Sequence, residues 1–235
     1  MEYCPGGDMG QALAKHRRFE LDLAKIYAAE IVLAIEYLHK NEIIFRDLKP
    51  DNVVFDEDGH ALLTDFGLSK TGMGASSVSN SFCGSVAYLA PEMLRRAGHT
   101  KSIDWYLLGV LIYEMLVGVP PYFNPDKAIL FKNIEQGPLK IPHTMPQPAR
   151  NLILLLLNRN PAKRLGSNSA DASEIKAHEF FEGINWEMVE KREYPVMVPK
   201  VKQHTANPKS VQGFFQELAE SEQRFSDYQR ENMSN

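Results

Sequence analysis

Asp47, Lys49, Asp51 and Asn52 fall within one short segment, Phe45-Arg46-Asp47-Leu48-Lys49-Pro50-Asp51-Asn52, and Asp65-Phe66-Gly67 follows eighteen residues after Asp47. Carboxylate and amide oxygens are the ligands that a hard cation such as Mg²⁺ takes. The plain alternative is a pair of Asp- and Asn-rich turns between strands, solvated and structural. Ala90-Pro91-Glu92 comes next, and Asp104-Trp105 further on. Each motif alone is weak; their order and spacing together argue against coincidence.

The elements around these residues read as mainly helical. Leu23, Ile26, Tyr27, Glu30, Ile31, Ala34, Ile35 and Leu38 stand at helical spacing, which predicts a long amphipathic helix over Leu21 to His39. Ile43-Ile44-Phe45, Val53-Val54-Phe55 and Ala61-Leu62-Leu63 read as short strands, and Asp56-Glu57-Asp58-Gly59 is the clearest turn. The strongly apolar stretch from Ser102 to Val117 is buried on most sides if helical. Asp126 to Ile134 and Ala149 to Leu157 read as further helices. After Phe181 the chain turns polar and proline-punctuated, with a weak helix near Val211–Arg230, and reads as an extended tail.

In this order the motifs resemble the catalytic loop, metal-binding loop and activation-segment closure of the eukaryotic protein kinases. The resemblance implies an α+β, mainly helical fold: a kinase large lobe over 1–181, whose short β-hairpins carry the catalytic and metal loops, followed by a C-terminal tail over 182–235. It implies ATP and Mg²⁺ as cofactors and Ser/Thr hydroxyls of proteins as acceptors, the Lys49-Pro50 form of the loop marking that branch. By the same resemblance Asp47 accepts or orients the hydroxyl proton, Lys49 sets a cation on the migrating phosphoryl, and Asn52 and Asp65 bring oxygens to the metal. Phosphoryl transfer leaves a protein little covalent chemistry, so positioning and charge neutralisation are what such groups supply.

Ser81, in Ser81-Phe82-Cys83-Gly84-Ser85, is similar to the activation-loop phosphosite of the AGC group, with Ser76, Ser77 and Ser79 as nearby rivals. Arg46 and Lys70 are then the expected clamp for its phosphate, which implies an upstream activating kinase. Ser85 stands where the family has a Ser/Thr touching the catalytic Asp and Lys; Val86-Ala87 replaces the family's usual Pro-Glu, which touches acceptor recognition. Asp8, Asp51 and Glu114 occupy positions where basophilic members meet arginines of the substrate, and Asp8 and Asp51 border the nucleotide side of the cleft too. The bland reading is that Asp8 caps the following helix and Glu114 sits in a satisfied helical network. Glu92 and Arg164 match a buried ion pair, and Asp104 matches a residue that ties down the catalytic loop's backbone.

Met1 to Asp8 resembles the hinge between kinase lobes, with backbone groups of Glu2 and Cys4 facing the adenine edge. The resemblance therefore expects the small ATP-gripping lobe to be missing from this sequence, and little transfer activity without it. Tyr194 to Val201 resembles the start of the AGC tail, Phe214 to Leu218 a degraded form of its Phe-Asp-x-Glu-Phe stretch, and Phe225 to Tyr228 its Phe-x-x-Phe hydrophobic motif. A non-catalytic docking or decoy fragment is the competing reading. A small-molecule phosphotransferase is disfavoured by Ala90-Pro91-Glu92 and the activation segment. A net charge of −4 argues against nucleic acid, and the longest wholly apolar run, Leu152 to Leu157, is far too short to span a membrane. Two cysteines make no disulfide framework and fit a reducing cytoplasm or nucleus.

Overall fold

The structure is a computed structural model that describes residues 4–72, 86–95 and 98–196. Its helices are α1 (Met9–His16), α2 (Leu21–Lys40), α3 (Pro91–Leu94), α4 (Ser102–Val117), α5 (Lys127–Gln136), α6 (Gln147–Leu156), α7 (Ala172–Lys176) and α8 (Trp186–Glu190). Two strands, β1 (Val53–Phe55) and β2 (Ala61–Leu63), form one antiparallel hairpin. The fold is mostly helical with a small sheet, as the motifs implied. Among the described residues there is a single hairpin where several were expected.

α2 and α4 are the frame. α2 buries Ala24, Tyr27, Ala28, Ile31, Val32 and Ile35 along one stripe, with Asp22 in its first turn and His39 and Lys40 in its last, charges that suit the helix dipole. α4 is apolar almost all round, so it must be enclosed, and it packs between α2 and α6. The α4–α6 approach depends on Gly109: a Cβ there would stand 2.8 Å from the Leu156 Cβ. Gly118 ends α4 at φ 93°, a left-handed cap in which a side chain would collide with the Arg17 carbonyl.

The hairpin is pinned to α2 by polar contacts. Its turn closes on Asp56, whose Oδ1 accepts from the Asp58 and His60 amides at 3.0 and 2.9 Å. Glu30, buried on α2, accepts from the Ala61 amide at 2.8 Å and pairs with His60 Nδ1 at 2.6 Å. Ile43-Ile44-Phe45 does not form a strand. It makes one bridge, Ile44 to Lys70, because the next two amides are taken by a side chain. Just beyond residue 181, α8 is capped by Asn185 and packs on α2, a helix too short for its periodicity to be read. The expected helix near 211–230 lies outside the described residues. No helix among those described is long and apolar enough to cross a membrane.

Candidate active site

The loop between α2 and β1 carries Asp47, and its backbone is held from below. The Asp104 carboxylate, fully buried on α4, accepts from the Phe45 amide at 2.9 Å and the Arg46 amide at 2.8 Å. Arg46 takes the left-handed conformation at φ 71°, uncommon for a residue with a Cβ and held here by these bonds. Asp47 is buried, and its Oδ2 accepts from Lys49 Nζ at 2.9 Å and from Asn52 Nδ2 at 2.8 Å. Asn52 Nδ2 also donates to the Asp47 carbonyl at 2.8 Å. The amide thus spends its nitrogen on Asp47, which makes Oδ1 the atom on offer to a hard cation.

The hairpin carries Asp65 to the same place. Val53 pairs with Leu63, and one step outward the Thr64 amide donates to the Asn52 carbonyl at 3.0 Å. Asp65 is therefore the residue after a direct partner of Asn52. It is exposed, takes φ 59°, and accepts the Gly67 amide at 3.2 Å. Phe66 stacks edge-on against Phe45 at 5.3 Å between centroids, joining the two loops. Among the described residues no group of three or more His, Cys, Asp or Glu forms a metal cage. Asn52 Oδ1 and the Asp65 carboxylate are oxygens of the kind a hard cation takes.

Behind the loop lies a charged network that the motifs do not announce. His39 Nε2 meets Asp104 at 2.9 Å and its Nδ1 meets Asp171 at 3.1 Å. Burial disfavours a charged imidazole, but these bonds prevail and push its pKa up to about 9. Asp171 also accepts from Trp105 Nε1 at 2.7 Å and Lys101 Nζ at 2.6 Å. Against the cost of burial, these partners hold its carboxyl below the usual range.

Arg46 and Lys70 come onto neighbouring segments: Ile44 and Lys70 exchange both backbone bonds, at 2.9 and 3.0 Å, and Arg46 Nε donates to the Leu68 carbonyl at 2.7 Å. Of the acidic positions, Asp8 caps α1 by accepting the Gln11 amide at 2.8 Å, as its bland reading had it. It also lies close to Asp51: a Cβ on Gly10 would stand 3.1 Å from Asp8 Oδ1 and 3.7 Å from Asp51 Oδ1. Burial first, then Asp51, pushes the Asp8 carboxyl up against its hydrogen bonds. Glu114 accepts from the Tyr88 hydroxyl at 2.7 Å, and burial, with Asp51 adding, pushes it up to about 7. Asp8, Asp51 and Glu114 thus form one acidic patch, joined through Asp51. Glu92 and Arg164 make a two-pronged buried pair at 2.6 and 2.9 Å. Cys4 is half-buried. Glu2, Ser81 and Ser85 lie outside the described residues, as do Ser76, Ser77 and Ser79.

Residues 1–181 match the protein kinase domain family. The serine/threonine-protein kinase YPK1 of Saccharomyces cerevisiae is 40% identical over 218 residues, 93% of this chain and 31% of that relative. Serine/threonine-protein kinase sck1 of Schizosaccharomyces pombe is 42% identical over 219 residues, 92% of this chain and 31% of its own length. The RAC-beta serine/threonine-protein kinase of Rattus norvegicus is 42% identical over 202 residues, 86% of this chain and 42% of its own. The chain thus spans between 31% and 42% of the length of these curated relatives. With the motif order, the looped geometry around Asp47 and these similarities in agreement, the chain belongs to the protein kinase domain family, in its AGC group.

Proposed function

We propose that this protein transfers the γ-phosphoryl group of ATP to serine and threonine hydroxyls of protein substrates. The observation that carries the reading is the Asp47 carboxylate, buried yet bonded to both Lys49 and Asn52, at the hairpin base that also carries Asp65. Asp47 would take or orient a hydroxyl proton, with Lys49, 2.9 Å away, supplying positive charge. Asn52 Oδ1 and the Asp65 carboxylate would hold Mg²⁺, which when bound neutralises phosphate charge. Cys4 and Glu2 would face the adenine through their backbones. Retention of Asp47, Lys49, Asn52 and Asp65 together favours an enzyme over a docking module, which has no use for them.

The acidic patch of Asp8, Asp51 and Glu114 supports a preference for basic residues near the acceptor, since converging carboxylates select arginine electrostatically. Phosphate on Ser81, placed by an upstream kinase, would meet Arg46 and Lys70, with Ser85 near the acceptor. A direct test uses the complete protein, radiolabelled ATP, and Ser, Thr and Tyr peptides with and without upstream arginines. The reading expects Mg²⁺-dependent labelling of Ser and Thr, favoured by arginine, and a loss of about 10²–10⁴-fold in Asp47→Asn. Labelling that survives Asp47→Asn undiminished would refute it.

A further inference from the structure

Asp171 stands 132 residues from His39 in the chain and meets its ring at 3.1 Å. Its backbone is in an unfavoured region, φ 49° and ψ −125°, and it occupies the N-cap position of α7 without capping it. An aspartate at that position ordinarily turns its carboxylate onto the helix amides. This one turns it to His39, Trp105 Nε1 and Lys101 Nζ instead. A strained residue that forgoes its local bond persists where the surroundings over-determine it.

Both ring nitrogens of His39 face carboxylates, Asp104 at 2.9 Å and Asp171 at 3.1 Å, and a carboxylate only accepts. Both bonds therefore need both nitrogens protonated, and the neutral ring can satisfy only one. With Asp171 in place the set balances: Asp104 and Asp171 against His39 and Lys101. Without it, a buried imidazole has one acceptor and its charge loses half its support. Asp104 Oδ2, which takes the His39 bond, is the same atom that accepts the Phe45 amide; its Oδ1 accepts the Arg46 amide. Asp47 follows directly. The ring also packs edge-on against Trp105 at 5.0 Å, so it has little room to reorient.

We propose that Asp171 is a positioning residue for phosphoryl transfer, holding His39 with both nitrogens donating so that Asp104 fixes the loop that presents Asp47. This rests on the kinase reading above. The charged groups around the imidazole are Asp104 from α4, Lys101 just ahead of α4, Asp171 ahead of α7, and Arg46 of the loop itself, whose amide shares Asp104. Asp171 touches no reacting atom; it acts through His39.

Two readouts test this. Histidine-selective NMR on this chain follows the His39 ring from pH 6 to 9 in wild type, Asp171→Asn and Asp171→Glu. Wild type and the Glu variant are expected to keep both nitrogens protonated through pH 8, and Asp171→Asn to turn neutral at least tenfold lower in proton affinity. In the complete protein, kcat with ATP and peptide saturating is expected to fall about tenfold or more in Asp171→Asn. Both KM values should stay within about twofold, the deficit should grow from pH 6.5 to pH 8, and Asp171→Glu should recover most of the rate. A His39 ring that stays protonated in Asp171→Asn overturns the proposal, and so does an unchanged kcat with the ring altered. If Asp171→Asn proves too unstable to assay, a Glu variant with a normal His39 ring and a kcat depressed about tenfold or more overturns it. Wild-type protein without phosphotransfer would sink the kinase reading, and the NMR arm alone would then decide whether Asp171 holds His39.

Discussion

Replacing Glu92 by glutamine keeps the shape of the site and removes one charge from the buried pair with Arg164. Glu92 is 4% exposed and Arg164 2%, so water cannot replace the lost partner. The guanidinium would keep its bonds to the Ser102 and Asn158 carbonyls, at 2.9 and 3.1 Å, and its place over the Tyr106 ring at 4.9 Å. Those contacts satisfy donors; none cancels a full charge. Breaking one side of a buried pair costs about 3–5 kcal/mol, set against a total stability of about 5–15 kcal/mol. At about 2–4 °C per kcal/mol for a domain of this size, the melting temperature should drop by roughly 6–20 °C. Urea and thermal unfolding followed by circular dichroism measure it. The double variant Glu92→Gln with Arg164→Met should be less destabilised than the sum of the singles by about 2 kcal/mol or more. A Glu92→Gln shift below about 1 kcal/mol with additive singles would refute the reasoning, because the pair would then be screened as a surface one is.

Two pH effects follow from the same structure. Glu114 is pushed up to about 7, so its ionisation grows as pH rises through that value; the KM for an arginine-containing peptide should fall between pH 6 and 8, and Glu114→Gln should remove the trend. A trend that persists in Glu114→Gln would assign it elsewhere. His39, pushed up to about 9 from an ordinary 6.5, contributes stability that is fully present below about pH 6.5 and lost as pH rises through about 9. That contribution is of order 3 kcal/mol, and the urea midpoint should fall between pH 7 and 9.5 in wild type but much less in His39→Gln. A flat wild-type midpoint would contradict it.

What the sequence showed depended on the range over which each signal acts. α2 and α4 were legible because a helix buries a stripe or a whole circumference, and both leave their mark within one run of residues. The motif loops were legible because their spacing is local. Ile43 to Phe45 was misread as a strand because an apolar run of three does not reveal who takes its amides; Asp104, from 58 residues away, takes the Arg46 amide and ends any ladder after Ile44. Asp8 was read two ways: the structure shows the cap, with Oδ1 accepting the Gln11 amide and Oδ2 the Gln11 side-chain amide, while contact with a substrate stays part of the proposed function. The Asp171–His39–Asp104 chain and the Glu30–His60 tie left no trace in spacing. Each joins residues 30 or more apart, and only the folded helices bring them together.

In the proposed function Asn52 and Asp65 share one divalent cation beside Asp47. Paramagnetic broadening by Mn²⁺ with ATP, read on the assigned amide resonances of the complete protein, measures this without relying on turnover. The signals of Asp47, Asn52, Asp65 and Gly67 are expected to broaden together at one stoichiometric site, with Asp65→Asn abolishing the effect and Glu114→Gln leaving it intact. Broadening centred elsewhere, or reaching the Asp65 loop without residues 47 and 52, would contradict it.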